Sequence, residues 1–423
     1  MPNRTEAPKI SIPENLNILQ FETIKTANNI DLHYINTGSQ DVIRISVVFK
    51  AGVKYQSKIF QASSMIAMLA EGTTNFNSDS FAEKVDFYGI YFDQSIDRDY
   101  CVVTVCCLQR FLGITLELLK ESLTCPTFPQ KEFDIFRNKK KQTILIDREK
   151  VNVLAREEFI KSLFGEKHPY GTIGAVEDLD KLTTEDLKSF FNEYICAENC
   201  FAVVTGKFND SDLKEVSTVL EQLKSNKVAT FSPIEPISKK ESSIIKENSL
   251  QTSIRIGKVL FNRNHEDFAA MQILSTVLGG YFSSRLVKNL REDKGYTYGV
   301  SSMMINHEDS GYFAITTEVA AEYAEDSIKQ IFYEIERLQT ELVTEEELEM
   351  VKNVMIGEVL RVLDGPFGIN DVVIENIQNN TDNNYLLDMI QQVKTITNKD
   401  LQNLACKHLQ IDSLSTIYVG KKL

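Results

Sequence analysis

Arg291 and Tyr298 stand seven residues apart in the stretch LREDKGYTYGVSS, on either side of Gly295. Both side chains donate hydrogen bonds, and the guanidinium is always charged. Before the glycine, Leu286 and Leu290 repeat at helical spacing. After it, Tyr296, Tyr298 and Val300 alternate with Thr297, Gly299 and Ser301. The pattern predicts a helix that stops at a glycine turn and a strand that starts at once. Read locally, Arg291 caps the helix C-terminus and Tyr298 fills a half-buried strand. Two donors flanking one turn also admit a chemical reading, which depends on the rest of the chain.

Other reactive residues form no complete site. Cys196 and Cys200 have a C-x-x-x-C spacing without a second pair to complete four ligands. Cys106 and Cys107 are adjacent and point to opposite faces of a strand. Cys406 and His408 fall in an amphipathic helix and read as core filling. His168 is a lone loop histidine in EKHPYG, and Glu71 reads as a helix-end carboxylate. There is no G-x-S-x-G elbow, no P-loop and no dinucleotide fingerprint.

Composition narrows the classes. A chain of 423 residues has room for two or three domains. A net charge of -14 argues against nucleic acid and against an anionic membrane surface. No apolar run reaches transmembrane length, which predicts a soluble chain. The opening MPNRTEAPKISIPENLNI has no apolar core of the kind a signal peptide needs. Seven cysteines cannot all pair within the chain, and several lie in apolar strand context. A reducing, cytoplasmic location is expected, with the periplasm open if a leader has been removed.

The chain then repeats itself. VIRISVVFKAG reads as a strand followed by a helix from Gln61 to Leu69, and DFYGIYFDQSIDRDYCVVTVCCL as a strand pair. The second half runs the same order from SIRIGKVLF through YGVSSMMINHEDSGYFAITTEV to LSTIYVGKK. Leu69 matches Leu278, Leu182 matches Ile396, and Thr205 matches Val419, at offsets of 209, 214 and 214. The polar segment 225–243 reads as a linker. We therefore expect two homologous domains, 1–224 and 244–423, in the α+β class. Each should be a mixed, mostly antiparallel sheet packed against helices.

With SSRLVKNLREDKGYTYGVSS in its second copy, this duplicated chain resembles the pitrilysin/insulinase family of inverted zincins. It most resembles the short two-domain branch that includes mitochondrial processing peptidase and bacterial relatives. EGTTNF, LFGEKHPYGTIG and FFNEYICAENCFAVVTGKF resemble further family segments in the same order. The resemblance covers about Ile30 to Lys421. It implies that Arg291 and Tyr298 donate to a substrate carbonyl and to the charge that develops on it during peptide hydrolysis.

The family's H-x-x-E-H helix, with two zinc-binding histidines and a glutamate base, falls here on Ser63, Ile66 and Ala67. None of the three is a ligand or a base. The further glutamate ligand should fall in TILIDREKVNV, where only Glu149 offers itself. The resemblance thus implies a catalytically incomplete subunit, half of a clam shell. It would bind no metal of its own and give Arg291 and Tyr298 in trans to a zinc-binding H-x-x-E-H paralogue that acts on peptides. A homodimer in isolation is possible. The compact VLGGYFSSRL departs from the long glycine-rich loop of the processing peptidase's non-catalytic subunit, so a bacterial-type partner is the nearer likeness. The alternative is a non-catalytic scaffold or peptide-binding protein with the same fold.

Overall fold

The computed structural model describes residues 20–228, 231–382 and 384–422. The opening segment read for a leader lies outside the described residues, as do positions 229 and 230 of the linker. Six strands, β1 (Glu22–Lys25), β2 (Asp31–Asn36), β3 (Val42–Phe49), β4 (Tyr91–Ile96), β5 (Cys101–Leu108) and β6 (Cys200–Gly206), make a first sheet. Its order is β1-β2-β6-β3-β5-β4. A second sheet holds β7 (Glu241–Ile245), β8 (Gln251–Leu260), β9 (Val300–Asn306), β10 (Gly311–Ala320) and β11 (Ser415–Gly420), in the order β7-β11-β8-β10-β9. In each sheet one pair is parallel, β2 with β6 and β7 with β11, and the other pairs are antiparallel. The two sheets share one topology apart from the extra edge strand β1, so the repeat in the sequence is a repeat in the fold.

The first half carries the helices α1 (Gln61–Ala67), α2 (Ser78–Tyr88), α3 (Leu112–Thr124), α4 (Gln130–Asp147), α5 (Val151–Phe164), α6 (Val176–Asp180), α7 (Thr184–Tyr194) and α8 (Asp210–Leu220). The second half carries α9 (Phe268–Ser275), α10 (Ala324–Thr340), α11 (Glu345–Val362), α12 (Pro366–Gln378), α13 (Tyr385–Thr395) and α14 (Asn398–His408). Thr183 begins α7 with a capping box: its hydroxyl accepts from the Asp186 N–H, and its own N–H donates to the Asp186 carboxylate. No helix among the described residues is long and apolar enough to cross a membrane.

Three expectations change. Residues 86–88 close helix α2, where a strand was expected. The Asn77 side chain caps the start by accepting from the Ser80 N–H, and Gly89 ends the helix with a left-handed backbone. Only Phe81 of α2 is buried, so its apolar periodicity is weak. Strand β9 begins at Val300, so Tyr296 and Tyr298 lie in a loop before it. Strand β7 starts at Glu241, inside the segment read as a linker, and residues before it are tied down. The N–H of Lys239 donates to Ser162 O at 2.7 Å, and His168 Nε2 donates to Ile234 O at 2.8 Å.

The halves interlock by exchanging helices. Side chains alternate along β3: Ile43, Ile45 and Val47 face the first half's own helices, and Arg44, Ser46 and Val48 face the other way. That second face is covered by α12 from the second half, through Ile369, Val373 and Ile374 against Ile35, Val48 and Val203. Asn370 pins the contact, accepting from Ser46 Oγ at 2.9 Å. Reciprocally, Phe159, Ile160, Leu163 and Phe164 of α5 pack on Ala314 and Ile417 of the second sheet. Gly257 permits that approach, because a Cβ there would meet the Phe159 ring at 2.9 Å and the Phe313 carbonyl at 2.0 Å.

The β4–β5 and β9–β10 turns, equivalent in the repeat, meet where the halves join. Lys54, nearly inaccessible, bridges them with Nζ contacts to Asp99 at 3.0 Å, Glu308 at 2.5 Å and Asp309 at 3.0 Å. Burial alone would lower its ammonium pKa, but Glu308, Asp99 and Asp309 outweigh that and hold it well above the ordinary lysine value. Tyr170 donates to Asp99 at 2.6 Å. His307 lies against the Tyr170 ring at a centroid distance of 4.5 Å.

Two outcomes follow from this junction. Lys54→Met removes the buried cation shared by Asp99, Glu308 and Asp309, of which Glu308 keeps Lys50, and should destabilise the chain by about 3 kcal/mol or more at neutral pH, measured by urea unfolding. An unchanged midpoint would mean that the junction carries no stability. Burial holds His307 down to about 4, with Asp99 partly opposing. The unfolded chain takes up that proton at about 6.5, so stability should fall as pH drops from there to about 4, by roughly 3 kcal/mol in all. His307→Phe should remove that part of the slope, and the same slope in both proteins would show that His307 is not held neutral.

Candidate functional site

Helix α1 starts at a strained point. Phe60 is left-handed (φ 68°). The Gln61 side chain accepts from the Ser57 and Lys58 N–H groups at 3.0 and 3.3 Å and donates to Asp186 O at 2.8 Å. That fixes the face on which position 63 looks into a cleft of about 430 Å³ between the halves. Ser63 turns its hydroxyl back to Phe60 O at 3.2 Å. Ile66 is only 2% exposed and belongs to the first core, and Ala67 offers no donor. This trio does not fit a zinc ion. The carboxylates that line the cleft are Asp147 and Glu157, not Glu149. Glu157 accepts from Arg148 Nε at 3.2 Å, whereas Glu149 is exposed and pairs with Lys246 at 3.1 Å. Glu149 lies in the turn before α5, and Glu157 follows eight residues later within that helix.

Three carboxylates, Asp99, Glu308 and Asp309, have oxygens within 4.8 Å of one another. The Lys54 ammonium already occupies their midst, so a divalent ion would have to displace a buried cation.

At the other end of the inner surface, residues Val287–Asp293 wind in a wide helical turn. The Lys294 N–H reaches back five residues to Asn289 O at 3.1 Å, and the Tyr296 N–H bonds Leu290 O at 2.8 Å. Gly295 makes the reversal at φ 66°. The ladder to β10 then fails because hydroxyls take its place. Thr297 Oγ1 donates to Glu318 O at 2.7 Å, and Thr317 Oγ1 donates to Gly299 O at 3.0 Å.

The neighbouring pairs sort into structural and free. Tyr296 stacks on Tyr323 at 4.3 Å and donates to Asp326 at 3.0 Å. Arg285 is buried and grips Glu347 with two bonds of 2.9 Å. Tyr298, by contrast, is 94% exposed, and its hydroxyl has no partner among the described residues. It stands over a pocket of about 420 Å³ shared with Arg255, Ser301 and Thr316. Arg291 is exposed and lies over the Phe282 ring at 4.7 Å, with no ion pair among the described residues. Arg291 does stand in the last turn of that helical segment, as the helix-cap reading requires, whereas Tyr298 is an exposed loop residue and not half-buried strand filling. The two side chains lie at the same turn, but no hydrogen bond or ring contact joins them among the described residues.

The remaining candidates have structural roles. All seven cysteines are free, and burial raises the thiols of Cys101 and Cys107. Cys406 is exposed and His408 Nε2 lies 2.7 Å from Asp267, so the core-filling reading of this pair does not hold. Their helix packs on the second core through Leu401, Leu404 and Ala405 instead. His168 accepts the Tyr170 N–H at 3.0 Å, and burial lowers its pKa.

The profile described as peptidase M16 inactive domain matches residues 181–355. The chain is 26% identical over 357 residues to an uncharacterized zinc protease of Rickettsia felis, covering 82% of this chain and 84% of that protein. It is 22% identical to the non-peptidase homolog YmxG of Helicobacter pylori, covering 89% of each. The crystal structure of a peptidase M16 inactive domain from Pseudomonas fluorescens superposes with a TM-score of 0.89 at 24% identity, over 96% of this chain and 99% of that one. The chain is similar to the peptidase M16, or pitrilysin/insulinase, family. It is a peptidase-like chain without the H-x-x-E-H motif.

Rebuilding the motif tests how far position 66 has become core. The combined change Ser63→His, Ile66→Glu and Ala67→His places a carboxylate where Ile66 is 2% exposed. We expect little zinc after dialysis, by elemental analysis, and a stability loss of about 3 kcal/mol or more. One zinc per chain at wild-type stability would show the site to be intact but for three side chains.

Proposed function

We propose that this chain supplies Arg291 and Tyr298 to a composite peptidase site whose zinc and base come from an H-x-x-E-H paralogue. The observation that carries the reading is Tyr298. A large phenol kept almost fully exposed, with no partner for its hydroxyl, over a polar pocket, contributes little to folding. Arg291 is similarly free of structural partners other than Phe282. The pairs beside them, Tyr296 and Arg285, do the structural work of that segment. The name non-peptidase homolog, borne by the Helicobacter pylori relative, fits a chain that hydrolyses nothing alone.

In this mechanism the chain holds a peptide between its halves and presents two donors. The guanidinium binds a substrate carbonyl, and the phenol adds a hydrogen bond as negative charge gathers on the attacked carbonyl oxygen. Zinc in the partner would supply the activated water. This chain's contribution is orientation and charge stabilisation.

Tyr298→Phe removes one hydroxyl and almost no volume. Peptide hydrolysis by the mixed complex should drop about 100- to 1000-fold with complex formation unchanged. Arg291→Ala should cost at least as much, part of it in KM. The comparison is partner activity with wild-type or variant chain added at equal complex. Equal rates for wild type and Tyr298→Phe would leave the scaffold reading in place of this one.

A further inference from the structure

The inner face of the second sheet changes character across its strands. Where the apolar side of α5 covers it, the face is Ala314, Ile417 and Val259. The row that begins at Ile417 turns polar across the neighbouring strands, through Arg255, Thr316 and Ser301, each adjacent in register. Arg255 faces inward, and its Nε is buried with no hydrogen-bond partner among the described residues. Two further guanidiniums approach from other elements: Arg156 from α5 and Arg98 from the β4–β5 turn, both lining the cleft beside Ser63. Tyr312 on β10 lies among all three. Burial raises its phenol, and Arg255, Arg98 and Arg156 each pull it back.

No carboxylate contacts these cations directly among the described residues, although Asp99 acts on Arg98 and Glu318 on Arg255 through space. Arg156 and Arg255 form no ion pair among the described residues, and Arg98 has only long contacts, 3.5 and 3.4 Å, to the carbonyls of Pro169 and Thr172. The nearby carboxylates are engaged elsewhere: Glu157 by Arg148, Asp147 by Lys150 at 2.8 Å, Asp99 by Lys54 at 3.0 Å. Glu318 lines the pocket beside Arg255 without an ion pair to it. Arg98 and Arg255 are half-buried with no ion pair, so the hydration they lose is not replaced by a contacting carboxylate, and the more exposed Arg156 adds a third positive charge beside them.

We propose that Arg98, Arg156 and Arg255 form an anion-binding strip between the halves that selects peptide segments rich in Asp and Glu. The proposal rests on the peptide-site reading above and names its substrate class. Arginine suits the task because its planar fork takes a carboxylate with two parallel hydrogen bonds. An extended peptide fits better than a single phosphate. The three cations come from three elements and extend over two clefts, of about 430 and 420 Å³, the second of which also holds Tyr298.

The test uses the full chain without any partner. A fluorescein-labelled Glu-rich peptide and its Gln-substituted twin are titrated by anisotropy, at low and at high salt. The acidic peptide should bind at least about tenfold tighter than its twin, and lose that advantage in high salt. Arg156 is exposed, so Arg156→Gln should leave the melting temperature unchanged. It and Arg255→Gln should each weaken the acidic peptide by about tenfold and leave the twin unaffected. Equal binding of the two peptides, or no change in either variant, overturns the proposal. So does inorganic phosphate binding at the strip with no binding of the acidic peptide. Because no hydrolysis is read, this result stands apart from the Tyr298→Phe experiment: failure there with selective binding here removes the composite site and keeps the strip.

Discussion

A sheet has two faces, and each half of this chain packs its own helices against only one of them. The other face of the first sheet carries Ile35, Val48 and Val203, and that of the second carries Ala314 and Ile417. Each fully buried aliphatic side chain is worth about 1.5–3 kcal/mol relative to exposure, so neither face can be left open. The exchange of α5 and α12 covers both. It makes the two halves one body, since separating them would uncover both faces at once. It also explains why the segment between them is short of freedom: residues 237–239 run along the end of α5 and bond to it.

The inner surface inherits its chemistry from that cover. Apolar residues on α5 shield the apolar part of the second sheet. Where the helix's buried side ends, Arg255, Thr316 and Ser301 face a recess. On the opposite wall, α1 carries no zinc ligand at positions 63, 66 and 67. Ser63 still faces the cleft, but its hydroxyl is satisfied by its own backbone, and Ile66 has joined the core. On that wall the donors come from Arg98 and Arg156 beside α1 and not from α1 itself.

The Lys54 junction works differently from the helix exchange. A buried ammonium among three carboxylates gains little net stability over an apolar contact, because desolvation offsets the attraction. It does demand one arrangement. The β4–β5 turn and the β9–β10 turn must meet with Asp99 facing Glu308 and Asp309, and Tyr170 and the Glu308 N–H add bonds that only this arrangement satisfies. The geometry of the cleft beside it depends on that register.

Much of this was legible in the chain. Alternation in VIRISVVF and SIRIGKVLF, the near-constant offset between halves, and Thr183 followed by Asp186 determine strands, repeat and caps by local rules that do not need a partner. The absence of histidine at 63 and 67 is likewise a fact of sequence. Helix α2 escaped because only Phe81 is buried, which leaves little periodicity to read, and β9 began late because Thr297 and Thr317 hydroxyls replace ladder bonds. What only the tertiary structure decided is convergence. Arg98, Arg156 and Arg255 lie on a turn, a helix and a strand that no spacing connects, and Asp147 and Glu157 rather than Glu149 line the cleft. Local sequence sets which way a side chain points from its own element. Which elements face one another is set by the burial of both sheets, and that is a property of the whole chain.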